Sequence, residues 1–187
     1  MKKRISRIFL FSVLCFLSSA LAGCGYTTRS MVGSKYRTIY ITPFVNKINI
    51  TTQTDAANKY RLYRPMIETD ITRSVNNRYL FDGNLRPLKE ESADVILKGE
   101  VLDFRRDPLR YDANGNVTEY RINLVVNISL WERAENKLIW QENSFTGDTT
   151  YFTSSSGNPQ AKSEDTAVTD ALTDLSRRIV ERTVEQW

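Results

Sequence analysis

The chain has 187 residues, no histidine and two cysteines. The first absence removes the commonest general base and metal ligand, and with it the Ser-His and Cys-His nucleophile pairs. No G-x-S-x-G, P-loop or G-x-G-x-x-G pattern occurs. Carboxylate pairs such as Glu90-Glu91 sit in an exposed charged connection and read as solvated surface. Nothing in the residues proposes an enzyme, a metal site or a cofactor. Long apolar runs are missing as well. The one candidate, Ile8 to Leu17, is short for a membrane span, and Ser18, Ser19, Ala20, Ala22 and Gly23 weaken it further.

What is present at the start is Lys2, Lys3, Arg4 and Arg7, then that apolar stretch, then a run of small residues. This order predicts a secretory signal peptide over residues 1–23, removed on export. Its removal changes the charge. Those residues hold four of the 26 basic side chains and none of the 22 acids, so the remainder carries 22 of each sign and no formal net charge. The basic balance of the whole chain therefore gives no ground for a nucleic-acid partner.

Cysteine usage follows the same cut. Cys15 lies within the signal, which leaves Cys24 alone as the first mature residue and excludes an intrachain disulfide. Leu21-Ala22-Gly23-Cys24 resembles the bacterial lipobox, in which the cysteine sulfur takes a diacylglycerol and its amine a further acyl chain. Each buried methylene contributes about 0.8 kcal/mol, so several chains anchor a protein stably. Gly25, where an aspartate would resemble an inner-membrane retention signal, points to the outer membrane, on its periplasmic side.

Residues 24–37 read as the lipidated N-terminus and a short tether, and residues 38–187 as one domain. RTIYITPFVN alternates as a first strand, with Ile39 and Ile41 on one face and Tyr40, Thr42 and Phe44 on the other. Residues 46–58 are polar and irregular. From Arg64 to Tyr79 the spacing of Ile67, Ile71 and Val75 predicts a helix with Pro65 in its first turn. It stops before Phe81-Asp82-Gly83-Asn84, and LRPL makes a short strand. ADVILKGEVLDFRR reads as a strand with Val95, Leu97 and Val101 on one face and Ile96, Leu102 and Phe104 on the other. Asn114-Gly115 marks a hairpin. TEYRINLVVNISLWER then alternates strictly, with Tyr120, Ile122, Leu124, Val126, Ile128 and Leu130 sharing one face. LIWQENSFTGDTTY returns. After a Ser/Gly/Pro loop, Ser163 is a candidate N-cap, followed by Glu164 and Asp165, and a long amphipathic helix runs toward Trp187. The fold class is α+β: a two-layer sandwich, its mostly antiparallel sheet of four to five strands covered on one face by two helices.

One cluster of side chains invites a chemical reading. Arg105, Arg106, Arg110 and Arg121 flank the Asn114-Gly115 hairpin. Guanidinium forks match phosphate oxygens, which suggests recognition of an anionic headgroup. The alternative is ordinary pairing with the interleaved Asp103, Asp107, Asp112 and Glu119. Tyr120 and Trp131 read as sheet packing.

In order, the lipobox, the strand IYITPFVN, a helix, Ala93-Asp94-x-x-Leu97-x-Gly99, the long alternating strand, Lys137-Leu138-Ile139-Trp140 with Gly147-x-x-x-Tyr151, and an acid-opened last helix resemble the lipopolysaccharide-assembly lipoproteins, the LptE family. The resemblance spans the mature chain. It implies a non-catalytic lipoprotein that fills the lumen of an LptD-type outer-membrane β-barrel and contacts lipopolysaccharide in transit. It pins no binding residue in this chain. A different class of lipoprotein, an activator of a peptidoglycan synthase or a pilotin of a secretin, shares the small anchored α/β domain but usually carries a longer Pro- or Gln-rich tether.

Overall fold

The computed structural model describes residues 35–48, 64–154 and 157–184. The signal peptide, Cys24, most of the tether, the greater part of the 46–58 loop and Trp187 lie outside the described residues.

Strands β1 (Thr38–Ile41) and β2 (Val45–Asn46) precede helix α1 (Ile67–Asp82), followed by β3 (Arg86–Pro87) and a short 3-10 turn, Glu90–Ser92. Strands β4 (Val95–Tyr111), β5 (Val117–Glu132) and β6 (Lys137–Phe152) lead to helix α2 (Glu164–Val184). The sheet order is β3-β1-β4-β5-β6, with β2 also beside β4. The meander β4-β5-β6 is antiparallel as expected, but β1 pairs in parallel with both β3 and β4, and β2 in parallel with β4. The sheet is thus mixed and six-stranded. The parallel pairings follow from connectivity: α1 carries the chain back along one face before β3 and β4 begin, and such a crossover returns the chain in the same direction.

Both helices cover one sheet face. On β5 every even residue from Ile122 to Leu130 is buried there. From α1 come Ile67, Ile71, Val75 and Tyr79; from α2 come Ala167, Val168, Ala171, Leu175, Ile179 and Val180. Burying each large aliphatic side chain contributes about 1.5–3 kcal/mol before conformational entropy is charged. The helices are tied together by polar contacts within this core: Ser74 Oγ donates to the Leu172 carbonyl at 3.2 Å, and the Tyr79 hydroxyl donates to Thr183 Oγ1 at 2.7 Å. The Ser163 N-cap forms, its Oγ accepting from the Thr166 N–H at 3.2 Å.

Three local expectations change. Phe44 does not share a face with Tyr40. The chain turns at Thr42-Pro43, and Phe44 is buried directly against Gly99, where an added Cβ would lie 2.1 Å from its ring. Phe104 does not lie with Ile96. A bulge between Val101 and Asp103 inserts Leu102 and moves Phe104 onto the helix-covered side opposite Leu124. Finally, β4 runs on to Tyr111 through Pro108, which the sequence assigns to the hairpin. Its pairing with β1 and β2 ends near Val101, so Pro108 sits on an edge where its missing N–H costs no ladder bond.

Candidate functional site

The sheet face away from the helices is open: no described element lies across it. Strict alternation places Lys98 and Glu100 of β4, and Arg121, Asn123, Asn127, Ser129 and Trp131 of β5, on this side. A shallow groove of about 400 Å³ crosses it, lined by Thr42, Lys98, Glu100, Asn127, Ser129 and Trp131 among others. Trp131 donates its indole N–H to Ser129 Oγ at 2.9 Å, and the Lys98 ammonium stands 4.6 Å over the Trp131 ring.

The four hairpin arginines divide between the two faces. Arg105 lies opposite Asn123 and Arg121 opposite Asp107, so the two are diagonal neighbours on the open face. Arg105 Nε is 3.4 Å from Asp103, and Arg121 Nε is 3.9 Å from Asp148. Arg110, near the hairpin tip, pairs with Glu119 at 2.8 Å. Arg106, displaced by the same bulge that moves Phe104, lies on the helix side opposite Ile122. There its guanidinium pairs with Glu164, the first residue of α2, and stacks 4.8 Å over the Tyr120 ring. Tyr120 in turn stacks on Tyr151 with centroids 5.8 Å apart. Burial opposes charge on Arg106, but the Glu164 carboxylate outweighs it and holds the guanidinium pKa above its ordinary value. Burial, reinforced by the same carboxylate, raises the Tyr151 hydroxyl.

Sequence reasoning foresaw Asp103 and Glu119 as partners because they are close along the chain. It missed Glu164 and Asp148, which reach Arg106 and Arg121 only through the tertiary fold. Among the described residues no group of three or more His, Cys, Asp or Glu is placed to hold a metal ion, and no helix is long and apolar enough to cross a membrane.

The two densest sequence motifs turn out to be joints of the fold. In the first, Ala93 is buried, the Asp94 carboxylate accepts the N–H groups of Arg37 and Thr38 at 2.8 and 3.0 Å, Leu97 enters the core, and Gly99 seats Phe44. In the second, Trp140 and Tyr151 are buried, and Gly147 lies against Leu175 of α2. Apart from the exposed Lys137 and Leu138, the named residues of both motifs serve packing and backbone seating, which is why the pattern identifies a fold more sharply than a ligand site.

The family model for lipopolysaccharide assembly, LptE, matches residues 36–183, nearly the whole described domain. The chain belongs to the LptE family.

No curated protein sequence matches it significantly. Among solved structures, this LptE-family chain resembles a protein of Xanthomonas campestris, with 12% identity, a TM-score of 0.53, and 80% of this chain and 84% of that one covered. A minor lipoprotein of Acinetobacter baumannii is similar at 17% identity and a TM-score of 0.46, covering 80% of this chain and 94% of that one. The PelC dodecamer of Paraburkholderia phytofirmans gives 13% identity and a TM-score of 0.48, with 86% and 96% covered.

Proposed function

We propose that this LptE-family chain is a lipid-anchored outer-membrane lipoprotein that plugs and assembles an LptD-like β-barrel translocon and assists lipopolysaccharide insertion at the cell surface, without catalysing a reaction. The observation that carries the reading is the family match over residues 36–183. The physical character of the domain supports it. After signal removal the formal charge is balanced. The open sheet face is polar and mixed in sign, a surface suited to a hydrated barrel lumen. Cys24 supplies the anchor through its diacylglycerol and N-acyl chain.

On this reading Arg105 and Arg121, side by side on the open face, are candidate contacts for lipopolysaccharide phosphates, with Arg110 near the hairpin tip beside them. Arg106 sits on the other face, committed to Glu164. A phosphate would exchange places with Asp103 and Asp148 at Arg105 and Arg121.

The test is a pull-down of the tagged, full-length lipoprotein from its native host in mild detergent. A stoichiometric, SDS-resistant outer-membrane barrel is the expected co-purifying protein. Recovery of a penicillin-binding protein or a secretin, with no barrel, would overturn the proposal and favour an activator or pilotin.

A further inference from the structure

The domain has one end at which the described chain enters, and its surface differs from the rest of the molecule. Lys35 and Arg37 lead into β1 there; the Arg86 N–H donates to the Arg37 carbonyl at 2.9 Å, and the Arg133 N–H donates to the Asp94 carbonyl at 3.0 Å. Helix α1 runs toward this end. Its start is held near β2 by Asn46 and Glu68, whereas its C-cap, Gly83, leads within three residues to Arg86 beside Thr38. The last turn of α1 therefore presents Leu80 and Phe81 at the chain-entry end, and these side chains are 64% and 84% exposed. Phe81 is the most exposed of the large apolar residues among those described.

The arginines are sorted the same way. Arg37, Arg78, Arg86 and Arg133 have no carboxylate within 4.0 Å among the described residues, and all four stand at this end. Every other described arginine has such a partner. Arg78 lies 5.6 Å over the Phe81 ring, and its buried Nε finds no acceptor. Acids are present too, but three are occupied. Asp94 accepts the β1 amides, Glu132 takes Lys35 and Tyr36, and Asp82 takes Asn84. Glu90, Glu91 and Glu135 complete the end, so its net attraction for an anionic surface is modest.

We infer that Leu80 and Phe81, framed by Arg78 and Arg86, rest on a phospholipid surface, with the aliphatic and aromatic groups in the headgroup boundary and the guanidinium groups on lipid phosphates. The length of chain leading to this end selects lipid as the occupant. Eleven peptide units join Cys24 to Lys35, and fully extended they span at most about 40 Å. The hairpin is farther still: Val95 to Leu109 along β4 adds about 45 Å at 3.3 Å per residue. In the lipoprotein before it enters a barrel, an acyl group on Cys24 keeps the α1 terminus at the membrane and the hairpin farther from it. A single membrane signal anchors weakly, and a second contact of apolar and basic groups strengthens and orients it. This inference rests on the acylation of Cys24 proposed above.

The experiment places a tryptophan at each end of the mature lipoprotein: Phe81→Trp and, separately, Leu109→Trp. Both positions are exposed, so neither change disturbs the core. Each variant is reconstituted into phosphatidylcholine–phosphatidylglycerol vesicles with or without brominated acyl chains, and wild-type emission is subtracted. The expected result is a roughly twofold or greater loss of the added emission for Phe81→Trp, with little change for Leu109→Trp. Equal quenching of the two, or no quenching of Phe81→Trp on a protein that floats with the vesicles, overturns the lipid contact while leaving the anchor standing. Mass spectrometry of the same sample reads the anchor by itself. A chain with no acyl group on Cys24 overturns the anchor, and the orientation with it.

Discussion

Gly147 of β6 lies directly beneath Leu175 of α2: a Cβ built on the glycine would fall 2.4 Å from the leucine Cβ and 2.6 Å from its Cα. The clash is with helix backbone, which a rotamer change cannot relieve. Gly147→Ala therefore pushes α2 off the sheet locally. Overpacking of this kind costs about 1–3 kcal/mol, and the upper part of that range applies because the contact is with backbone. Thermal denaturation followed by circular dichroism should show Tm lowered by roughly 5–10 °C for a domain of this size. An unchanged Tm would mean that α2 does not pack at this separation.

The Tyr79 hydroxyl links the two helices through Thr183, whose own hydroxyl donates to the Ile179 carbonyl at 2.8 Å. Burial raises the phenol pKa well beyond its ordinary value, so Tyr79 remains a neutral donor throughout the accessible pH range. Tyr79→Phe removes the donor but leaves the ring in place. The expected loss is about 1 kcal/mol, read as a lower urea midpoint with an unchanged m-value.

Asp94 and Asp174 contribute to the acid limit of the fold, beside Asp112 and Glu132, whose hydrogen bonds likewise hold them below their ordinary values. Burial alone would raise Asp94, but the N–H groups of Arg37 and Thr38 outweigh it and hold the carboxyl below its ordinary value. Asp174 is likewise opposed by burial and lowered on balance by Arg177, the Asp148 N–H and Arg178. A carboxyl whose folded pKa is depressed binds a proton more readily in the unfolded chain. The stabilisation is therefore complete above the unfolded value, near pH 4, and is lost as pH falls through the folded values. Stability should hold flat from pH 7 to about 5 and decline below about 4. Asp94→Asn should flatten that decline while lowering stability at pH 7, as measured by urea denaturation across pH.

The hairpin arginines should separate by face. Arg121 has the longest carboxylate contact of the four and a half-exposed side chain. Arg121→Gln should weaken lipopolysaccharide binding about threefold to tenfold while leaving Tm unchanged. Arg106→Gln should leave that binding intact and cost about 1 kcal/mol or less, since its pair with Glu164 is partly solvated. Surface plasmon resonance on immobilised lipopolysaccharide, beside thermal denaturation, distinguishes the two. If Arg106→Gln is the variant that loses binding, the assignment of the open face fails.

Much of this protein was readable in one dimension because the relevant forces are local or periodic. The alternation of Ile122, Leu124, Val126, Ile128 and Leu130 fixed a half-buried strand and its buried side. The four-residue spacing of Ile67, Ile71 and Val75 fixed a helix, and Ser163 with Glu164 and Asp165 fixed where the last one starts. The lack of histidine disfavoured whole classes of chemistry without any coordinates. What needed the tertiary structure was everything that depends on which strand lies beside which. The parallel seating of β1 against β4 comes from the α1 crossover. The bulge at Leu102 reverses the phase of the residues from Asp103 to Pro108, and so sends Arg106 to Glu164 and turns Arg105 onto the open face with Arg121. Gly99 and Gly147 look alike in the sequence, as isolated glycines within strands. Only the packed structure shows that one makes room for the Phe44 ring and the other for the backbone of a helix, because a close approach is a property of two surfaces and is written in neither alone.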